Sequence, residues 1–131
     1  MPHLVLEYTA NLEKLTPDPR LSERLHRILE SSAGVAIENC KSRWHRVENW
    51  VVGDGKADAA FVHLELRLLE GRPPHVLEAV GREALGVLRD HFRPAPGKTD
   101  LQITVAVGEL VRAAYFKDPE GTLSPPPRKE A

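Results

Sequence analysis

Between positions 61 and 68 the chain alternates strictly, with Val62, Leu64, Leu66 and Leu68 in one set and Phe61, His63, Glu65 and Arg67 in the other. Strand side chains point to opposite faces in turn. This period of two therefore commits the segment to a sheet with one apolar and one mixed polar face. The remaining chain has to cover the first face and find a use for the second. Two segments carry the helical period that covering needs. In one, Leu21, Leu25, Ile28 and Leu29 follow Thr16-Pro17-Asp18-Pro19, where Asp18 can cap the first amides and Pro19 suits the first helical position. Gly34 is placed to end it. The other opens at Gly71-Arg72-Pro73-Pro74, runs on a stripe of Val76, Leu77, Val80, Ala84, Val87, Leu88 and Phe92, and stops at Pro94 to Gly97.

Further extended segments flank these. Leu4, Leu6 and Tyr8 share one strand face, and Leu101, Ile103, Val105 and Val107 share another, with Gln102 and Thr104 opposite. Val35 to Cys40 and Arg43 to Val52 also read as extended, and Gly53-Asp54-Gly55 as a hairpin signal. The order strand, helix, strand, turn, strand, helix, strand is that of an α+β fold. It reads as two fused β-α-β units forming a four-stranded sheet with two helices on one face. Each crossover makes the two strands of its unit parallel neighbours. Phe61, His63, Glu65, Arg67, Gln102 and Thr104 then lie on the uncovered face, either solvated or paired with further copies of the chain.

At 131 residues the chain makes one domain, assigned to residues 1–118. From position 119 to 131 it turns polar, with prolines at 125 to 127, and reads as a disordered tail. A net charge of -1 with both signs scattered excludes a basic nucleic-acid face. No apolar run is long enough to span a bilayer, and the single cysteine, Cys40, fits a reducing compartment, so the expected location is cytoplasmic. Cys40 reads as buried, and His45 and His63 as interface or core histidines. No spacing of His, Asp or Glu points to a metal site.

The chemistry-bearing feature is Pro2. Initiator methionine is usually trimmed before a small residue, which would leave a secondary amine at the chain's start. Model α-amino groups titrate near ~7.7–8.0, so a modest environmental shift makes such an amine a usable base at neutral pH. The same dipeptide is also a plain processing signal. Position 2 stands at a strand end, where little core should be buried.

Met1-Pro2-His3, Ser42-Arg43-Trp44-His45-Arg46-Val47-Glu48-Asn49-Trp50, Asp54-Gly55-Lys56-Ala57-Asp58-Ala59-Ala60-Phe61-Val62-His63-Leu64 and Gly71-Arg72 together resemble the 5-carboxymethyl-2-hydroxymuconate isomerase family, in the tautomerase superfamily. The likeness runs from Met1 to about Lys117. It implies two fused β-α-β units per chain and a homotrimer whose polar sheet faces line a central channel. It also implies a cofactor-free isomerase in homoprotocatechuate catabolism, shifting a proton in a polycarboxylate enol with Pro2 as general base. Arg72 matches a family arginine that binds substrate carboxylate. Lys41 stands where the family pattern has arginine, so either Lys41 acts as a point charge or Arg43, two residues along on the same strand face, takes the role. Two alternatives stay open: a tautomerase of a smaller 2-keto acid, for which two cations suffice, and a non-catalytic trimeric anion-binding protein.

Overall fold

The computed structural model describes residues 1–119, so the tail read from 119 to 131 lies, but for Pro119, outside the described residues. Among them the strands are β1 (His3–Thr9), β2 (Lys41–Val47), β3 (Ala59–Leu69) and β4 (Asp100–Leu110), and the α-helices are α1 (Pro19–Ala33) and α2 (Pro74–Phe92). They form one sheet in the order β2-β1-β3-β4. β1 pairs with β2 in parallel and β3 with β4 in parallel, while the two units join through antiparallel β1 and β3. The fold is therefore two β-α-β units sharing one mixed four-stranded sheet.

The alternation read from the sequence sorts the faces. Leu4, Leu6 and Tyr8 of β1 and Val62, Leu64, Leu66 and Leu68 of β3 are buried in one cluster with Leu21, Leu25 and Leu29 of α1 and Val80, Ala84, Leu88 and Phe92 of α2. Asp18 caps α1, its Oδ1 accepting from the Leu21 amide at 3.0 Å, and Gly34 ends it in the left-handed region at φ 65°. On the open face the register sets Arg43, Val5 and Glu65 in one row and His45, Glu7, His63 and Thr104 in another. There His63 bridges Thr104 Oγ1 at 2.6 Å and Glu65 Oε2 at 3.0 Å.

Three local expectations are corrected. Val35 to Cys40 is not extended, because Ile37–Asn39 forms a single 3₁₀ turn closed by the Asn39 amide on Ala36 O and the Cys40 amide on Ile37 O. β1 begins pairing at His3 opposite Lys41, so no partner strand exists for residues before Lys41. The extended run from Arg43 stops at Val47 rather than Val52 for the mirror reason: Val47 faces Thr9, the last residue of β1. Gly53-Asp54-Gly55 makes a turn, with the Gly55 amide on Val52 O, but not a hairpin, since β1 lies between β2 and β3. Trp50 secures this crossing by donating from Nε1 to Ala59 O at 3.1 Å.

No helix among the described residues is long and apolar enough to cross a membrane. Leu64 is fully buried at the middle of β3. Leu64→Ala should therefore cost about 2–5 kcal/mol, the range for a leucine truncated in a packed core. Urea denaturation checks this: the midpoint should fall with the slope unchanged.

Candidate active site

The antiparallel register brings the start of β1 beside the end of β3, with His3 opposite Arg67. Pro2 precedes β1 and is held on its other side by the Lys41 amide, which donates to Pro2 O at 3.1 Å. Its ring is fully buried and Met1 is 6% exposed. This contradicts the expectation that position 2 buries little. The strand end is capped by other parts of the chain, and Met1, Pro2, Val35, Leu68, Leu69 and Arg72 enclose one depression with only about 10 Å³ left open.

Arg72 reaches this depression through the turn that follows β3. Gly71 adopts φ 120°, which lacks a steric penalty only without a Cβ. The half-buried guanidinium donates from Nε to Ala33 O at 3.0 Å and from Nη1 to Leu69 O at 3.2 Å. It thus ties the end of α1 to the end of β3 while using two of its five N–H donors. Burial, and then Arg112, push its pKa down, while Glu109 acts in the opposite sense.

The chain's terminal nitrogen sits among cations. It donates to Asn39 O at 3.4 Å, and Lys41 Nζ donates to the same carbonyl at 2.9 Å. Lys117 Nζ donates to Asn39 Oδ1 at 3.4 Å, so three amino groups gather on one asparagine. The Met1 ammonium is pushed down from 8.0 to about 6, first by burial, then by its contact with Lys41 and the charges of Lys41 and Lys117. Desolvation and like charge both act against its protonated form.

Of the residues singled out from the sequence, the structure brings Pro2 and Arg72 to one depression, while Lys41 holds Pro2 O through its amide and turns its ammonium to Asn39 O. Arg43 lies elsewhere. It projects from the open face and donates to His3 Nδ1 at 2.9 Å. Because arginine only donates, a neutral His3 carries its proton on Nε2 and donates to Tyr115 Oη at 3.0 Å. Burial, followed by the Arg43 guanidinium, favours that neutral ring. His3, Arg43, Glu65, Arg67, Leu110 and Tyr115 line a separate concavity of about 630 Å³ on the open face. Cys40, expected to be buried, is half-buried beside the terminal amine, and its thiol is pushed up to about 11 chiefly by desolvation. Among the described residues no group of three His, Cys, Asp or Glu is arranged to hold a metal ion.

Sequence reasoning missed Asn39 and Lys117. Nothing in the motif around either marks a site. The one available cue was Tyr115-Phe116, an aromatic pair after the last strand in a chain with only 5% aromatics.

A family model for 5-carboxymethyl-2-hydroxymuconate isomerase matches residues 2–120. The chain belongs to the 5-carboxymethyl-2-hydroxymuconate isomerase family. It is 26% identical over 117 residues to the Escherichia coli 5-carboxymethyl-2-hydroxymuconate Delta-isomerase, covering 89% of this chain and 93% of that one. A crystal structure of a 5-carboxymethyl-2-hydroxymuconate isomerase from Deinococcus radiodurans R1 superposes with a TM-score of 0.80 at 29% identity, over 89% of this chain and 88% of that one. More distantly, a fused 4-OT wild-type symmetric trimer shares the fold, with a TM-score of 0.67 at 13% identity over 88% of this chain and 91% of that one. The two-unit architecture of this isomerase family, a tautomerase-type fold, is thus the one described above.

The crowded terminal amine gives a direct check. In the chain that retains Met1, that amine should titrate near 6, so that it is largely neutral at pH 7. Limited acetylation at pH 7 followed by peptide mass spectrometry should therefore modify Met1 ahead of Lys41 and Lys117. Preferential lysine modification would contradict the environment described.

Proposed function

We propose that this protein is a cofactor-free isomerase that moves a proton along the conjugated chain of 5-carboxymethyl-2-hydroxymuconate, with the nitrogen of Pro2 as the general base once Met1 has been removed. The observation that carries this reading is the position of Pro2. It is pinned at the sheet end, shares its depression with the Arg72 guanidinium, and follows an amine already pushed to about 6. Removing Met1 opens the depression and converts a Pro2 amide, which has no basic lone pair, into a secondary amine.

The chemistry needs little else. The neutral amine takes the enol O–H proton, the double bonds shift along the chain, and the resulting ammonium returns the proton to a distal carbon. One O–H bond breaks, one C–H bond forms, and no electrons enter or leave. Positive charge nearby does two jobs: it stabilises the dienolate and it keeps the amine neutral between turnovers. Arg72 and Lys41 supply that charge and bind substrate carboxylates, Arg72 with the donors not spent on Ala33 and Leu69, Lys41 as a point charge. Arg43 acts at one remove, through His3. Breakdown of homoprotocatechuate in the cytoplasm supplies such an enol.

Assembly follows from the open sheet face. The related fused 4-OT structure is a symmetric trimer. On this chain the alternating Arg43, Glu65, Glu7 and His63 offer both signs of charge for pairing between copies. A homotrimer places these faces around a central channel. Sedimentation at micromolar concentration should therefore give about three times the 14.6 kDa chain mass.

Two comparisons test the chemistry. A variant with an untrimmed residue before Pro2 should fold and assemble but lose activity, since its Pro2 nitrogen remains an amide. Wild-type turnover by that variant would end the proline-base reading. Arg72→Ala should lower kcat/KM for the tricarboxylate enol about 30- to 1,000-fold, and for a monocarboxylate enol such as phenylenolpyruvate much less. Because Arg72 also holds two backbone carbonyls, the melting temperature is measured alongside, and Arg72→Lys separates charge from fork. Equal losses on both substrates would place Arg72 outside the substrate pocket.

A further inference from the structure

The segment after β4 does not leave the domain at the sheet edge. It turns back across the end of the sheet and is fastened at or beside the end of three strands. Just after β3 the Arg112 amide donates to Glu70 Oε2 at 2.7 Å and Arg112 Nε to Glu70 O at 3.2 Å. At β1 the Tyr115 hydroxyl meets His3 Nε2 at 3.0 Å, with the two rings edge to face at 6.1 Å. Just before β2, Lys117 Nζ meets Asn39 Oδ1 at 3.4 Å. The path ends at the asparagine whose carbonyl already accepts from the chain terminus and from Lys41.

Lys117, 45 residues beyond Arg72 in sequence, is thus carried to a place beside the same amine. Its anchor is a neutral amide oxygen at long range. Among the described residues Lys117 forms no ion pair with a carboxylate, so none of them neutralises its charge there. A half-buried ammonium in that state favours an anion.

Resting on the isomerase reading above, we propose that Lys117 is a third substrate-binding cation of the site, delivered by the folded-back segment, and that with Arg72 and Lys41 it selects an enol bearing three carboxylates over one bearing a single carboxylate. Two cations suffice for a small 2-keto acid, and a third within one chain matches the larger ligand charge for charge. The lowered pKa of the Met1 amine, to which Lys117 contributes, fits the same placement. The positioning residues for Lys117 are Asn39, which tethers its head, and the Arg43–His3–Tyr115 chain, which holds the segment down.

The test uses the processed protein with Pro2 at its terminus and reads binding as well as turnover. Tricarballylate serves as the tricarboxylate probe and butyrate as its monocarboxylate control, both by isothermal calorimetry. Lys117→Gln removes the charge but keeps an N–H donor for Asn39, and Lys117→Arg keeps the charge. Lys117→Gln should weaken tricarballylate binding about tenfold, the loss of one charge-assisted contact, with butyrate unchanged and Lys117→Arg near wild type. The ratio of kcat/KM for tricarboxylate over monocarboxylate enol should fall by a similar factor, mostly through KM. Unchanged tricarballylate affinity in a folded Lys117→Gln protein overturns the assignment, as does a wild type that binds tricarballylate no more tightly than butyrate. A wild type that binds tricarballylate selectively through Lys117 but does not isomerise the enol sinks the catalytic reading and leaves this assignment standing.

Discussion

The antiparallel register between β1 and β3 decides which parts of this chain meet. Each β-α-β unit alone would send its strand starts to one end of the sheet and its strand ends to the other. Joining the units through antiparallel strands sets the start of one against the finish of the other, with His3 opposite Arg67 and Leu4 opposite Leu66. Pro2 therefore lies against Leu68, Leu69 and the turn carrying Arg72. A slip of one residue would turn Leu4 and Leu6 out of the core, so burial of the leucine face enforces the register on which the site depends.

The energetic character of that site follows from its crowding. A free amine in water prefers to be charged at pH 7. Here burial and the ammonium groups of Lys41 and Lys117 work against the charge of the Met1 amine, and the same groups would attract an anionic ligand. In the proposed reaction, base activation and substrate affinity would thus have one cause. The arrangement also constrains Lys41. It keeps a positive charge at the position where the resemblance implies arginine, but its head is a compact ammonium bonded to Asn39 O, without a bidentate fork. Arg43, the other residue considered for that role, is engaged by His3 on the open face.

Much of the architecture was legible because its determinants are local. Period-two alternation marked β3 and β4, the 3.6-residue stripes marked α1 and α2, and Asp18, Pro19 and Gly34 marked the limits of α1 through capping chemistry. What escaped depends on partners distant in sequence. Residues 37–39 and 48–52 look extended in isolation and are not, because β1 has no residue left to pair with them. The burial of Pro2 requires Val35 and Leu68, neither of which is near it in the chain. The half-burial of Arg72 depends on Ala33 O, far away in sequence, as well as on Leu69 O. Lys117 sits in a polar stretch without a motif, and its placement beside Asn39 emerges only when the segment is seen to fold back across the end of the sheet. The family resemblance pointed to Pro2 and Arg72, which the fold brings to one depression, but it could not point to a residue outside the motifs that carry it.

The central claim is that the chain's own terminal nitrogen, at Pro2, is a base kept neutral by its surroundings. The most direct measurement is a ¹⁵N NMR titration of processed protein labelled at proline, followed in parallel with the pH dependence of kcat/KM. The account predicts that the Pro2 nitrogen titrates well below the ~8 of an ordinary α-amino group, and that the ascending limb of the rate profile has the same midpoint. A Pro2 amine titrating at or above ~8, or a rate profile indifferent to its ionisation, would contradict it.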